Sequence, residues 1–67
     1  MIEIVVNGQP KSVAENSSTV ELIESLGLSL KAVIVEHNGS VLKAEALAEK
    51  RLSPGDRLEL IQIVGGG

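Results

Sequence analysis

Two Asn-Gly dipeptides, Asn7-Gly8 and Asn38-Gly39, each end a β-branched run, and they constrain the fold of this chain more than any other feature. Asn followed by Gly best tolerates positive φ at both centres of a type I′ turn, whose twist matches that of the strands it joins. Each dipeptide therefore predicts a hairpin. The first strand is Ile2-Glu3-Ile4-Val5-Val6, with Ile2, Ile4 and Val6 on one face, and it returns through Gln9 to Ala14. Pro10 cannot donate a ladder hydrogen bond, so the returning strand belongs at a sheet edge. The second hairpin pairs Ala32 to His37 with the brief strand Val41-Leu42.

Between the hairpins the spacing changes to a helical one. Val20, Ile23 and Leu26, with Leu22 beside them, form an apolar stripe. Ser18 and Glu21 read as a capping box before it, Gly27 as the left-handed residue that stops it near Leu26, and Leu28 as the residue that packs back on Ile23. Ala44 to Lys50 predicts a turn or two of helix, Ser53-Pro54-Gly55-Asp56 a tight turn, and Arg57 to Val64 a last strand. The order β-β-α-β-β-α-β specifies an α+β domain of residues 1–64, a mixed sheet of four to five strands covered by one main helix, which is the β-grasp arrangement. The long apolar last strand must lie beside the first, because at an edge it would invite aggregation. Residues 65–67 are expected to form a flexible glycine tail.

Composition then removes whole classes of function. The chain has 67 residues, no cysteine and no Phe, Tyr or Trp, so one aliphatic core must stabilise one domain without disulfide or thiolate-metal staples. Nine acids against six bases, with no aromatic platform, argue against nucleic-acid binding. No segment approaches a membrane span or a secretory leader, and the expectation is a soluble cytoplasmic protein. No Ser/His/Asp set, paired-carboxylate cleft or phosphate loop can be assembled, so an enzyme is not expected. His37 is the one histidine; it reads as a surface or turn-flanking side chain, and no metal site is expected. Glu36, Glu45, Glu49 and Glu59 read as solvated faces, some of which meet basic partner surfaces.

Gly65-Gly66-Gly67 is the segment the fold does not account for, since three glycines after the last strand have nothing to pack and lose the most freedom on ordering. A strand without Cβ atoms can thread a narrow enzyme channel and bring a terminal carboxylate to a reactive phosphate. A frayed end or a cloning remnant is the competing reading of the same residues.

With these residues in place the chain resembles a known family, the ThiS-type sulfur carriers of thiamine biosynthesis, which are ubiquitin-like β-grasp proteins. The resemblance rests on the opening strand into Val6-Asn7-Gly8, on Thr19-Val20 and Leu26-Gly27-Leu28, and on the Val-Ile-Val strand into Asn38-Gly39. It continues through Leu52-x-Pro54-Gly55-Asp56-Arg57-Leu58-Glu59 to Val64-Gly65-Gly66-Gly67. The resemblance implies a carrier with no bound cofactor. A ThiF-type activating enzyme uses ATP and Mg²⁺ to adenylate Gly67, a cysteine persulfide supplies sulfur to form a thiocarboxylate, and a ThiG-type thiazole synthase consumes it. Gly65 and Gly66 would thread the partner's active site. Ile61, Ile63 and Val64 are expected to dock the partners, with Leu58 and Leu60 turned into the core, unless the short helix or a loop covers the isoleucines. Carriers for molybdopterin or tRNA thiolation share the tail chemistry, as does a ubiquitin-like protein modifier. A noncovalent β-grasp interaction module is the alternative of a different class.

Overall fold

The computed structural model describes residues 1–63. Strand β1 (Ile2–Val6) turns at Asn7-Gly8 into β2 (Gln9–Val13), and helix α1 (Thr19–Ser25) follows. A single 3₁₀ turn over Leu30–Ala32 leads into β3 (Val33–His37), β4 (Ser40–Leu42), the one-turn helix α2 (Ala44–Leu47) and β5 (Arg57–Gln62). Both hairpin turns have the positive φ pair that type I′ geometry requires, 50° and 80° at Asn7 and Gly8, 50° and 88° at Asn38 and Gly39.

The five strands form one mixed sheet in the order β2-β1-β5-β3-β4. β5 is the central strand. It runs parallel to β1, through Val5 opposite Arg57 and Val6 opposite Leu58, and antiparallel to β3 over five residue pairs. The most apolar late segment thus has neighbours on both sides, while β2, which carries Pro10, lies at an edge as expected. Ile4, Val6, Val35, Leu58 and Leu60 from the sheet meet Leu22 and Ile23 of α1 in the core, and Leu47 and Leu52 close its end.

Local signals explain where α1 starts and stops. The Glu21 N–H donates to Ser18 Oγ at 3.1 Å, and the Ser18 N–H donates to Glu21 Oε1 at 2.8 Å, which completes the capping box. At the other end the Gly27 N–H donates to Glu24 O and the Leu28 N–H to Ile23 O, the two bonds of a Schellman stop, with Gly27 at φ 75°.

The buried stripe of α1 differs from the apolar one in the sequence. Thr19, Leu22 and Ile23 face the core, Val20 is half-buried, and Leu26 is 38% exposed. The helix ends at Ser25, which leaves Leu26 as the cap residue and turns it outward. The third inward position, Thr19, is polar and escapes an apolar count. Its hydroxyl donates to the Leu47 carbonyl and ties α1 to α2.

Three boundaries also shift. β2 ends at Val13 and not Ala14, because Val13 already pairs with Ile2 and β1 has no earlier residue in the ladder. β3 begins at Val33 because Ala32 belongs to the 3₁₀ turn capped by Ser29. α2 stops at Leu47, short of Lys50: Ala48-Glu49 form a turn in which the Glu49 and Lys50 N–H groups both donate to Ala46 O, and beyond it the chain ties back to the start of α1, the Thr19 N–H donating to Lys50 O and the Leu52 N–H to Ser17 O. The expected end of the last strand, Val64, and the tail Gly65 to Gly67 lie outside the described residues.

Candidate functional site

Because side chains alternate along a strand, β5 separates two surfaces. Leu58 and Leu60 are buried under α1, as their positions predict. Ile61 and Ile63 point the other way and are 46% and 53% exposed; among the described residues neither the short helix nor a loop covers them. β3 extends this apolar surface. Ile34 stands directly opposite Ile61 in the antiparallel register and is 39% exposed, and Val41 of β4 is 62% exposed. Ile34 escapes a reading of the sequence because Val33-Ile34-Val35 is apolar throughout, so alternation cannot say which residue faces out. Its pairing with Ile61 supplies that information.

The site hangs on β5, and both Asn-Gly turns hold β5 by their side chains. Where β1 ends, the Asn7 amide takes over as a ladder partner: Oδ1 accepts from the Leu60 N–H at 2.7 Å and Nδ2 donates to Leu60 O at 3.4 Å. A primary amide has the same donor and acceptor pair as a peptide group, so it continues the sheet by one step. At the other end of β5, Asn38 Oδ1 accepts from the Arg57 N–H at 2.8 Å, and its Nδ2 donates to Asp56 Oδ1 at 3.2 Å. The two turns thus satisfy backbone groups that their parent hairpins leave open.

Asp56 is the centre of the second clasp. Its Oδ2 accepts from the Ser53 N–H at 2.8 Å and lies 2.9 Å from His37 Nε2. Burial pushes the Asp56 carboxyl up. The hydrogen bond with His37, the Ser53 N–H, the Asn38 amide and the charge of His37 outweigh burial and hold it below its ordinary value. His37 does flank a turn, but it is not a free surface residue, since both side chains of this pair are nearly buried. Proximity in space, unavailable from a spacing of 19 residues, brings them together. Among the described residues no group of three or more His, Asp and Glu is placed to hold a metal ion.

A groove of about 360 Å³ lies between β2 and α1, lined by Met1, Lys11, Val13, Glu21, Leu22 and Ser25 among others. Its carboxylate is already committed, since Glu21 caps α1. The Ser18 backbone N–H and then its hydroxyl hold that carboxyl below the usual range, with the charge of Arg51 adding to them against a small opposing effect of burial. Two of its hydroxyls are likewise committed, Ser17 Oγ donating to Ala14 O at 2.6 Å and Ser25 Oγ to Leu22 O at 2.7 Å.

Residues 4–67 match the model of the ThiS family. The chain belongs to the ThiS family. A crystal structure of the thiamine biosynthesis protein (ThiS) from Geobacter metallireducens is 36% identical and superposes with a TM-score of 0.83 over 98% of this chain and 100% of that one. A computationally designed protein based on human erythrocytic ubiquitin, 27% identical, aligns with a TM-score of 0.55 over 98% of this chain and 94% of that one, in keeping with a ubiquitin-like β-grasp fold. Thiazole synthase of Paramagnetospirillum magneticum is 27% identical over 66 residues, which are 98% of this chain and 20% of that protein. This chain therefore spans about a fifth of that relative's length. No helix among the described residues is long and apolar enough to cross a membrane.

Proposed function

We propose that this ThiS-family protein is a sulfur carrier for the thiazole of thiamine, acting through the carboxylate of Gly67 and not through an active site of its own. The observation that carries this reading is the extent of the family match, which runs through residue 67 and so includes the terminal glycines in the shared pattern. The Paramagnetospirillum thiazole synthase, with a ThiS-like stretch inside its own chain, supports thiazole formation as the destination of the sulfur.

A carboxylate is a poor electrophile because its charge is delocalised. Adenylation by a ThiF-type enzyme with ATP and Mg²⁺ converts it to a mixed anhydride with a good leaving group. A protein persulfide attacks the carbonyl carbon and AMP departs. A thiol then cleaves the sulfur–sulfur bond by exchange, leaving a thiocarboxylate on Gly67. Tethering the sulfur to a protein delivers it by docking to a ThiG-type synthase in the cytoplasm. With no cysteine of its own, the chain does not compete for the activated acyl carbon.

Covalent geometry links the open sheet face to this chemistry. Four peptide links join Ile63 to Gly67, a maximal reach of about 14 Å. Any enzyme that reacts with Gly67 must therefore cover the surface around Ile63. Ile61 and Ile63 are the apolar anchors of that contact, and Val64, Gly65 and Gly66 lead into the enzyme.

Incubation with the activating enzyme, ATP, Mg²⁺ and a persulfide donor is expected to raise the intact mass by the exchange of one oxygen for one sulfur. Deleting Gly67 abolishes that gain without changing the melting temperature. An unchanged mass for the full chain with a cognate activating enzyme would leave only the noncovalent interaction module.

A further inference from the structure

The open face of the sheet carries charge as well as apolar area, and the charge is arranged against the fold's own interest. Glu36 of β3 and Glu59 of β5 are cross-strand partners. The bonds from the Asn38 N–H to Arg57 O and from the Ile63 N–H to Ala32 O place every second pair of this ladder, including Glu36 with Glu59, in hydrogen-bonded register. Directly opposed side chains have Cβ atoms about 5 Å apart, and like charges there destabilise a sheet. Neither carboxylate takes part in the two ion pairs among the described residues, His37–Asp56 and Arg51–Glu21. Glu3 of β1 lies on the same face, and Arg57 is the one base that β1, β3 and β5 contribute to it.

This couple adjoins the apolar row. Ile34 and Ile61 form the next outward-facing pair along β3 and β5, and Val41 stands across from Glu36 on β4. Apolar side chains beside opposed carboxylates make a poor solvent face and a good complement to a surface with an apolar ridge flanked by guanidinium or ammonium groups.

Resting on the sulfur-carrier reading, we propose that this face docks the cationic mouth of the enzyme that adenylates Gly67, with Glu36 and Glu59 as its charge-reading element. An enzyme that holds a nucleoside triphosphate, stabilises departing pyrophosphate and draws in a carboxylate needs clustered positive charge around its site. The short reach of the tail brings the open face to the rim of that site. Repulsion between Glu36 and Glu59 is relieved when the enzyme's cations arrive, so the couple lowers the stability of the free carrier and favours the complex.

The test compares the wild-type chain with Glu36→Gln/Glu59→Gln and with Glu45→Gln/Glu49→Gln. The second variant removes the same charge from exposed sites in and beside α2. Carrier-dependent ATP–pyrophosphate exchange by the activating enzyme is measured across ionic strength, together with the melting temperature. For the sheet-face variant, kcat/KM at low salt is expected to fall roughly tenfold and to converge on wild type at high salt. Its melting temperature is expected to rise by roughly 1–5 °C. The α2 variant stays within twofold of wild type. A sheet-face variant that is exchanged as fast as wild type overturns the proposal, as does an equal loss in the α2 variant, which would trace the effect to net charge. Failure of the wild-type chain to support exchange at all would overturn the carrier reading and this inference with it.

Discussion

The two faces of the sheet are made by the same strands and obey different rules. On the closed face, Ile4, Val6, Val35, Leu58 and Leu60 meet α1, and all are nearly inaccessible to solvent. On the open face the alternate residues of those strands include the half-exposed Ile34 and Ile61 and two opposed glutamates, and no helix among the described residues packs on that side. Stability explains every residue of the first set. It explains few of the second, where half-exposed isoleucines and like-charged neighbours cost more than polar, mixed-charge replacements would. Positions that break local rules without gain to the fold mark the surface kept for a partner.

The comparison breaks most visibly at Leu58. This residue is fully buried in the central strand between α1 and the clasp at Asp56, and Leu58→Ala should cost about 2–5 kcal/mol through lost transfer energy and a residual cavity. A domain of this size has a total stability of roughly 3–10 kcal/mol, so the variant is expected to be largely unfolded or to melt far below wild type in a chemical denaturation series. A loss under 1 kcal/mol would mean that the core beneath β5 is not close-packed.

Asp56 gives the next largest effect. Asp56→Asn keeps the shape but replaces a carboxylate that accepts from Ser53, His37 and Asn38, at an expected cost of roughly 1–3 kcal/mol near neutral pH. The pH dependence has a definite sign. The folded-state pKa is depressed, so its contribution is complete above the unfolded value, near 3.8, and is lost as pH falls below that through the folded value. Wild-type stability should therefore drop more steeply than that of the variant in this acid range. Parallel slopes for the two proteins below pH 3.8 would show that the clasp does not hold the charged form.

How far the sequence discloses these features depends on the range of the physics behind them. Turns and caps are set by neighbours, so Asn7-Gly8, Asn38-Gly39, the Ser18–Glu21 box and the Gly27 stop are all legible along the chain and all appear in the fold. The central position of β5 follows from its apolar length. By contrast, the Asn7 amide completing the β5 ladder at Leu60 and the Asp56–His37 pair join residues 53 and 19 positions apart, and no local pattern encodes either. The inward role of Thr19 is hidden because a hydroxyl bonded to a carbonyl replaces apolar contact. At the candidate site, Ile61 and Ile63 were accessible to alternation, whereas Ile34 and the Glu36–Glu59 apposition required the strand register.

The smallest effect on stability belongs to the open face, and there it separates binding from folding. Ile61→Ser together with Ile63→Ser removes side chains already half in water, so the transfer loss is limited and the pair should cost about 1–2 kcal/mol. Binding to the activating enzyme should fall much further, because a partner that covers Ile63 to reach Gly67 must desolvate both side chains completely, and apolar anchors at the centre of an interface dominate its energy. Calorimetric affinity and the melting temperature, measured on the same preparations, read the two faces against each other. A melting temperature that collapses while affinity per folded molecule is unchanged would return Ile61 and Ile63 to the core and remove the distinction between the faces.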